Sequence, residues 1–278
     1  VNRITQLVQT PAVSVERFDH VPGVAHRDPE REQATRHAIS FVESGGFALR
    51  VAGRWHHLEP GHLFVTTPGL EFACAHDAER PDDVCLSVRF AEAAVESLRS
   101  AGAGGLGAPV ASADNRRRYL GLQLAAGDGD GARTEALAGA LYWSLSTPGP
   151  VRRPFGAGQL GWYAARLARA RELMDTAWAA PLTLSQIARE AGMSPYHFAR
   201  VFAELEGVPP HRYLVAVRLR HAAARLQAGG GVTDTAHATG FGSPSHFATA
   251  FRRRFGVTPS RYGRATSCRA RRPTRRRP

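Results

Sequence analysis

Ser194-Pro195-Tyr196-His197-Phe198-Ala199-Arg200-Val201-Phe202 recurs 49 positions later as Ser243-Pro244-Ser245-His246-Phe247-Ala248-Thr249-Ala250-Phe251. The same offset carries Gly207-Val208 onto Gly256-Val257, Pro210 onto Pro259 and Arg212-Tyr213 onto Arg261-Tyr262. Upstream the offset falls to 48, taking Ala188 to Ala236 and Gly192 to Gly240, so the second copy has the longer turn. A solenoid needs about three repeats to bury a continuous core. Two copies therefore read as one supersecondary unit used twice.

Local chemistry says what that unit is. Thr183-Leu184-Ser185-Gln186 fits a capping box, with Leu182 and Ile187 placed as its hydrophobic staple. Gly192 ends that first helix where a positive φ is cheap. Ser194 then caps a second helix whose N1 position is Pro195, where a missing N–H costs nothing. A short helix, a tight turn and a second capped helix make a helix-turn-helix. In the second helix Phe198, Val201, Phe202 and Leu205 share an inward face at i, i+3, i+4, i+7. The copy turns Phe247, Ala250 and Phe251 inward. The opposite faces carry Tyr196, Ala199 and Arg200, and Ser245, Ala248 and Thr249, small or polar residues that suit close approach to base edges. Ser194, Ser243, Arg252, Arg253 and Arg254 are expected on phosphates, which position without specifying sequence. Between the copies His211–Gln227 reads as a helix with Val215, Leu219, Ala222 and Leu226 as its buried stripe. At 1.5 Å per residue it is a rod of roughly 25 Å. Such a rod holds two recognition helices near the ~34 Å that separates successive major-groove segments on one face of DNA.

Charge agrees with a nucleic-acid partner. The 278 residues carry 36 basic groups, all arginine, against 24 acids, for a net +12. Residues 1–150 hold 14 Arg and 18 acids, whereas residues 151–278 hold 22 Arg and 6 acids. A mildly acidic half joined to a strongly basic one is expected of a polyanion-binding module on a regulatory or catalytic partner. No apolar run reaches the ~18 residues of a membrane span. Arg3 is followed by polar Thr5, Gln6, Gln9 and Thr10 rather than a signal-like apolar stretch. Three cysteines cannot staple a chain of this length, so a reducing cytoplasm is expected.

The first ninety residues alternate short β-rich runs with turn chemistry. Val13–Phe18, Ala38–Glu43, Phe47–Val51, His62–Thr66, Leu70–His76 and Val84–Phe90 are separated by Ser44-Gly45-Gly46, Ala52-Gly53, Pro60-Gly61, Pro68-Gly69 and Arg80-Pro81-Asp82-Asp83. That spacing predicts a small barrel or sandwich. Ala91–Ser100, Asn115–Ala126 and Arg133–Ser146 then read as helices, and the prolines 148, 150 and 154 mark a linker. The fold class expected is α+β. Its domains are residues 1–146, a linker at 147–158, an all-α double helix-turn-helix at 159–264 and a disordered basic tail at 265–278.

Residues of about 160–264 resemble the DNA-binding domain of AraC/XylS-type transcription regulators. The resemblance rests on I-A-R-E-A-G-M-S-P-Y-H-F-A-R-V-F, on R-L-R-H-A-A-A-R-L, and on G-F-G-S-P-S-H-F-A-T-A-F-R-R-R-F-G-V-T-P-S-R-Y. It implies recognition helices in adjacent major grooves, and an N-terminal cupin-like β-barrel with trailing helices that senses a small molecule and dimerises. The first half offers pieces such as L-E-P-G-H-L-F-V-T-T-P-G for that comparison. Three departures stand out. Thr235 occupies a position where the family usually has a bulky aliphatic, Thr249 one where it often has arginine, and Gly231 replaces the cap that Thr183 supplies in the first copy. The first unit is therefore expected to carry more of the base specificity.

Candidate sites in the first half are of two kinds. A hairpin centred between Glu79 and Arg80 would put Cys74 opposite Cys85 and His76 opposite Asp83, a zinc-like donor set, with small barrel residues or a regulatory disulfide as alternatives. Trp55, His57, Phe64, Phe72 and His76 are candidates for an effector pocket, with ordinary core packing as the alternative. The alternating H-x-H of metal-using cupins is absent, since His56 and His57 are adjacent. Leu120, Leu124, Leu137, Leu141 and Leu145 either pack on their own domain or form a dimer face, and a homodimer is favoured. No catalytic residue and no cofactor is expected. The predicted function is a cytoplasmic, nucleoid-associated bacterial regulator binding double-stranded DNA and a small-molecule effector, with RNA polymerase as partner if it activates. The alternative is a metal-dependent cupin-type enzyme or a DNA-modifying or repair protein with fused DNA-binding helices.

Overall fold

The computed structural model describes residues 3–19, 31–76, 83–127, 129–146 and 153–270. The chain divides into two units, Val1–Leu160 and Gly161–Pro278. In the first unit the strands are β1 (Arg3–Gln9), β2 (Val13–Asp19), β3 (Glu32–Gln33), β4 (His37–Ser44), β5 (Phe47–Val51), β6 (Arg54–Leu58), β7 (His62–Thr66), β8 (Glu71–His76), β9 (Val84–Phe90) and β10 (Val110–Ser112). Helices α1 (Glu92–Ser100), α2 (Asn115–Ala126) and α3 (Gly131–Ser146) follow β9. The strands form two sheets of orders β1-β2-β9-β4-β7-β10 and β3-β8-β5-β6. Among the described residues neither sheet closes on itself, so open sheets stand where a barrel was expected.

Two-residue alternation decides what each face of the larger sheet does. Val13, Val15, Ile39, Phe41, Leu63, Val65, Leu86, Val88 and Phe90 point one way into a core shared with Leu120, Leu124, Ala138, Leu141 and Tyr142 of α2 and α3. Leu137 and Leu145 are partly buried against the same core. The leucine stripes nominated for dimerisation are thus spent on the domain's own sheet. A second cluster, including Val42, Leu49, Leu58 and Phe64, joins the two sheets.

Three differences from the sequence reading stand out. β1 was not expected, because Arg3–Gln9 lies at a sheet edge with most of its side chains in solvent and so lacks the alternation that marks a half-buried strand. β8 pairs with β5 and β3, while β9 pairs with β2 and β4. The Cys74–Cys85 hairpin therefore does not exist; the two strands belong to different sheets. Residues 147–152 of the expected linker lie outside the described residues. Its end is tied down, since Asn115 Nδ2 donates to Arg153 O at 3.1 Å and its Oδ1 accepts from Phe155 N at 2.7 Å.

The second unit is helical: α4 (Ala157–Thr176), which begins just before the boundary, α5 (Leu184–Glu190), α6 (Pro195–Glu206), α7 (Pro210–Gln227), α8 (Val232–Ala238), α9 (Pro244–Phe255) and α10 (Pro259–Ala270). α10 runs six residues into the stretch expected as a disordered tail; the rest of that tail, residues 271–278, lies outside the described residues. The repeat proves longer than two helices. Arg166, Leu167, Ala170 and Met174 of α4 stand 52 positions before Arg218, Leu219, Ala222 and Leu226 of α7. All six apolar members are buried. Each half is a three-helix unit, α4-α5-α6 and α7-α8-α9, and α7 links the halves while opening the second.

Candidate nucleic-acid interface

Both helix-turn-helix units are built by local signals. At α5, Thr183 and Gln186 form the reciprocal capping box. Ser194 and Ser243 cap α6 and α9 by accepting from the backbone N–H groups of His197 and His246. The turns pass through Gly192 at φ 60° and Gly240 at φ 75°, left-handed conformations that a side chain resists. α8 starts at Gly231 without a side-chain cap.

Conserved geometry between the halves also supports the turns from behind. Arg166 Nη1 donates to Ala191 O at 2.7 Å and Gly192 O at 3.0 Å, with its guanidinium 3.9 Å from the Trp162 ring centroid. Its repeat partner Arg218 lies against Gly240, where an added Cβ would come within 3.0 Å of the guanidinium carbon and 2.9 Å of Ala179 O. Arg218 also donates to Trp178 O and Ala180 O, each at 2.8 Å. Burial lowers its pKa from the usual arginine value. The second turn is thereby fastened to the first half's α4–α5 loop. Arg166 was not noted in the sequence and Arg218 only as the start of R-L-R-H-A-A-A-R-L, although their shared R-L-x-x-A spacing carried the signal.

Phe198, Val201, Phe202 and Leu205 are fully buried, as are Phe247 and Phe251, while the facing residues are accessible. Tyr196 is 83% exposed. Arg200, Ser245 and Thr249 are exposed, and Ala199 and Ala248 are half-buried. Arg200 Nη2 donates to His197 Nδ1 at 3.3 Å. A guanidinium only donates, so Nδ1 accepts and the ring proton sits on Nε2, facing the Tyr163 hydroxyl at 3.1 Å. Tyr163, His197 and Arg200 thus form a chain that steadies the arginine. Thr249 Oγ1 donates to Ser245 O at 3.0 Å, so its hydroxyl proton is spent on its own helix. What Thr249 offers outward is its methyl group and an acceptor lone pair. Ser194, Ser243, Arg252, Arg253 and Arg254 are all exposed.

Two concavities flank these helices. One, of about 430 Å³, lies between Tyr196, Arg200 and the start of α7; the other, of about 460 Å³, lies between Thr249, Arg253 and α7. His211 lines both. It stands between the two outward faces, a position invisible in a sequence that treated it as the first residue of a connector.

The first-half candidates disperse. Phe64 and Phe72 meet at 5.0 Å between ring centroids and line a cavity of about 590 Å³ with Cys74, Asp83 and Cys85. Trp55, 52% exposed, and the exposed His57 sit on the outer strand β6 and do not line it. The His76 backbone ends β8; its side chain lies outside what is described. Burial pushes both thiols up to about 12, with Glu32 and Asp83 contributing at Cys74 and Asp83 at Cys85. Among the described residues no three His, Cys, Asp or Glu groups come together as a metal set. No described helix is long and apolar enough to cross a membrane.

The helix-turn-helix domain family matches residues 187–265. A transcriptional regulator of Rhizobium meliloti, GlxA, is 35% identical over 104 residues, which are 37% of this chain and 32% of that protein. An uncharacterized regulator of Bacillus subtilis, YbfI, is 33% identical over 70 residues, 25% of this chain and 26% of that one. A solved AraC-type regulator from Chromobacterium violaceum is 30% identical, covering 38% of this chain and 94% of its own with a TM-score of 0.35. The chain thus matches about a third or less of the length of these two sequence relatives.

Proposed function

We propose that this chain, whose residues 187–265 form an AraC-type helix-turn-helix domain, is a DNA-binding transcription regulator in which one monomer reads two successive major-groove segments. The observation that carries the reading is the doubled helix-turn-helix itself. Two helices capped alike, each with a buried phenylalanine face and an open small or polar face, are joined by the 18-residue α7. Tyr196, Ala199, Arg200, Ser245, Ala248 and Thr249 are assigned to base edges. Ser194, Ser243, Arg252, Arg253 and Arg254 are assigned to phosphates, with His211 between the two segments. The first unit is assigned a cupin-like sensing role, its effector taken up between the two sheets. A homodimer stays within the proposal, but its surface is not the buried leucine stripe. Cytoplasmic action on the nucleoid, with RNA polymerase as partner for an activator, completes the reading.

Its test is recovery of genomic fragments by purified protein at about 0.15 M salt over excess competitor DNA. A few fragments sharing two direct half-sites about one helical turn apart are expected. Uniform recovery that falls steeply with salt and shows no shared site would leave only charge-driven binding and overturn it.

A further inference from the structure

The repeat lays the two halves of the DNA-binding unit side by side, and they part company at a trio of positions that meet in space. The 52-position offset of α4 onto α7 takes Tyr163 to Val215. The 49-position offset of α6 onto α9 takes His197 to His246 and Arg200 to Thr249. In the first half the trio is bonded in series: the Tyr163 hydroxyl stands 3.1 Å from His197 Nε2, and Arg200 Nη2 stands 3.3 Å from His197 Nδ1. In the second half Val215, His246 and Thr249 also come together, lining the cavity of about 460 Å³ between α7 and α9. The histidine is kept, its ring against Phe241 at 5.7 Å between centroids. The phenol and the guanidinium are gone.

What the first half gains is a preset arginine. An exposed arginine samples many rotamers and gives up that freedom when it is pinned to a base. Arg200 is exposed on the outward face of α6, and its bond to His197 Nδ1 removes part of that freedom beforehand. Which ring nitrogen accepts is fixed from behind. Tyr163 is buried, with its ring 5.7 Å from the His197 ring and 5.2 Å from Trp162. Its hydroxyl takes the Nε2 proton and leaves Nδ1 bare toward Arg200. A core residue of α4 thereby sets the pose of a side chain on the open face. The guanidinium spends one N–H on His197 and keeps enough for a bidentate pair on O6 and N7 of guanine.

We propose that Tyr163 and His197 are positioning residues that set the first half's preference for a guanine through Arg200, and that Val215 and Thr249 leave the same seat unfilled in the second half. The proposal rests on the regulator reading for the existence of base recognition. It adds where the base preference is set, and that filling the seat transfers it.

The test uses the full chain, a preferred site selected from random duplexes, and affinities for every single-base variant of that site. Tyr163→Phe keeps the ring and deletes the hydroxyl. It is expected to lower discrimination at the base pair read by Arg200 about three- to tenfold, the equivalent of one net hydrogen bond, and to leave the other positions unchanged. In an Arg200→Ala background the same substitution should have no further effect, whereas a tyrosine that merely packs would cost the same in both backgrounds. His197→Asn, which keeps an acceptor near the place of Nδ1, should retain more discrimination than His197→Leu. In the second half Val215→Tyr/Thr249→Arg should add a preference at one base pair about three- to tenfold stronger than Thr249→Arg alone adds. Equal losses in both backgrounds, losses spread over all positions, or a folded double variant that discriminates no better than Thr249→Arg would overturn the proposal. A selected site with additive losses sinks this proposal alone. Selection of no site at all sinks the regulator reading and this proposal together, since no base preference then exists to be set.

Discussion

Thr235 in α8 is fully buried, at 0% exposure, and its Oγ1 has no hydrogen-bond partner among the described residues. Its carbonyl is occupied, accepting from Thr239 Oγ1 at 2.7 Å, but nothing answers its own hydroxyl. Thr235→Val exchanges that hydroxyl for a methyl group of similar shape at the same β-branched carbon. An unmet buried hydroxyl costs about 1–3 kcal/mol. Helix propensity is nearly unchanged, since valine and threonine rank together. One cost opposes the gain. A Cβ built on Gly230 would stand 3.1 Å from Oγ1, so the larger methyl meets that backbone and repacking takes back up to about 1 kcal/mol. The balance is a stabilisation of about 1 kcal/mol, confined to the second half of the DNA-binding unit. Because the chain has two units, a single melting curve does not isolate it. Amide hydrogen exchange followed by mass spectrometry on peptides covering 228–241 does, and protection there should rise about fivefold. Thr235→Ser, which keeps the hydroxyl and deletes the methyl, should lower protection by a similar factor. If serine protects as well as threonine and valine protects less, the hydroxyl is satisfied and the reasoning fails.

Other expectations concern the interface and the first unit. Arg200→Ala should cost about 1–3 kcal/mol at the cognate site and relax the preference at one base pair; competition among single-base operator variants measures it, and equal loss on random DNA would remove its base-reading role. Arg253→Ala should weaken all sequences alike and reduce the slope of log affinity against log salt by about one; an unchanged slope counts against a phosphate contact. Arg166→Met removes two hydrogen bonds from the turn at Gly192, and a loss of about 1–2 kcal/mol in the second unit is expected by exchange in peptides covering 184–206. The two thiols give a pH dependence of definite sign. Burial raises their folded pKa values to about 12 from the ordinary thiol value of 9.0, so the stability they contribute is complete below pH 9 and is lost as pH rises toward 12. Each thiol adds up to about 1.4 kcal/mol of loss per pH unit in that window. Cys74→Ser/Cys85→Ser should flatten the alkaline limb of urea unfolding relative to the parent, and identical limbs would contradict the burial of the thiols.

The sequence by itself determined the parts written in short-range chemistry. Caps at Thr183, Ser194 and Ser243, N1 prolines at 195 and 244, glycines at the two turns and the i, i+3, i+4, i+7 phenylalanines are all satisfied within one or two helical turns. The doubled unit and its open face were legible for that reason. The same holds for most strands of the first unit, whose alternation is local. Tertiary structure decided which strands share a sheet. Periodicity states which face of Leu70–His76 is buried but not which neighbour buries it, so Cys74 and Cys85, drawn as hairpin partners, arrive from opposite sheets onto one cavity. It also decided that the leucines of α2 and α3 cover their own sheet, that His211 lies between two recognition faces, and that Arg166 and Arg218 brace the turns. Each of these depends on contacts between segments tens of residues apart, and their pairing is fixed by the packing of whole elements rather than by any local preference.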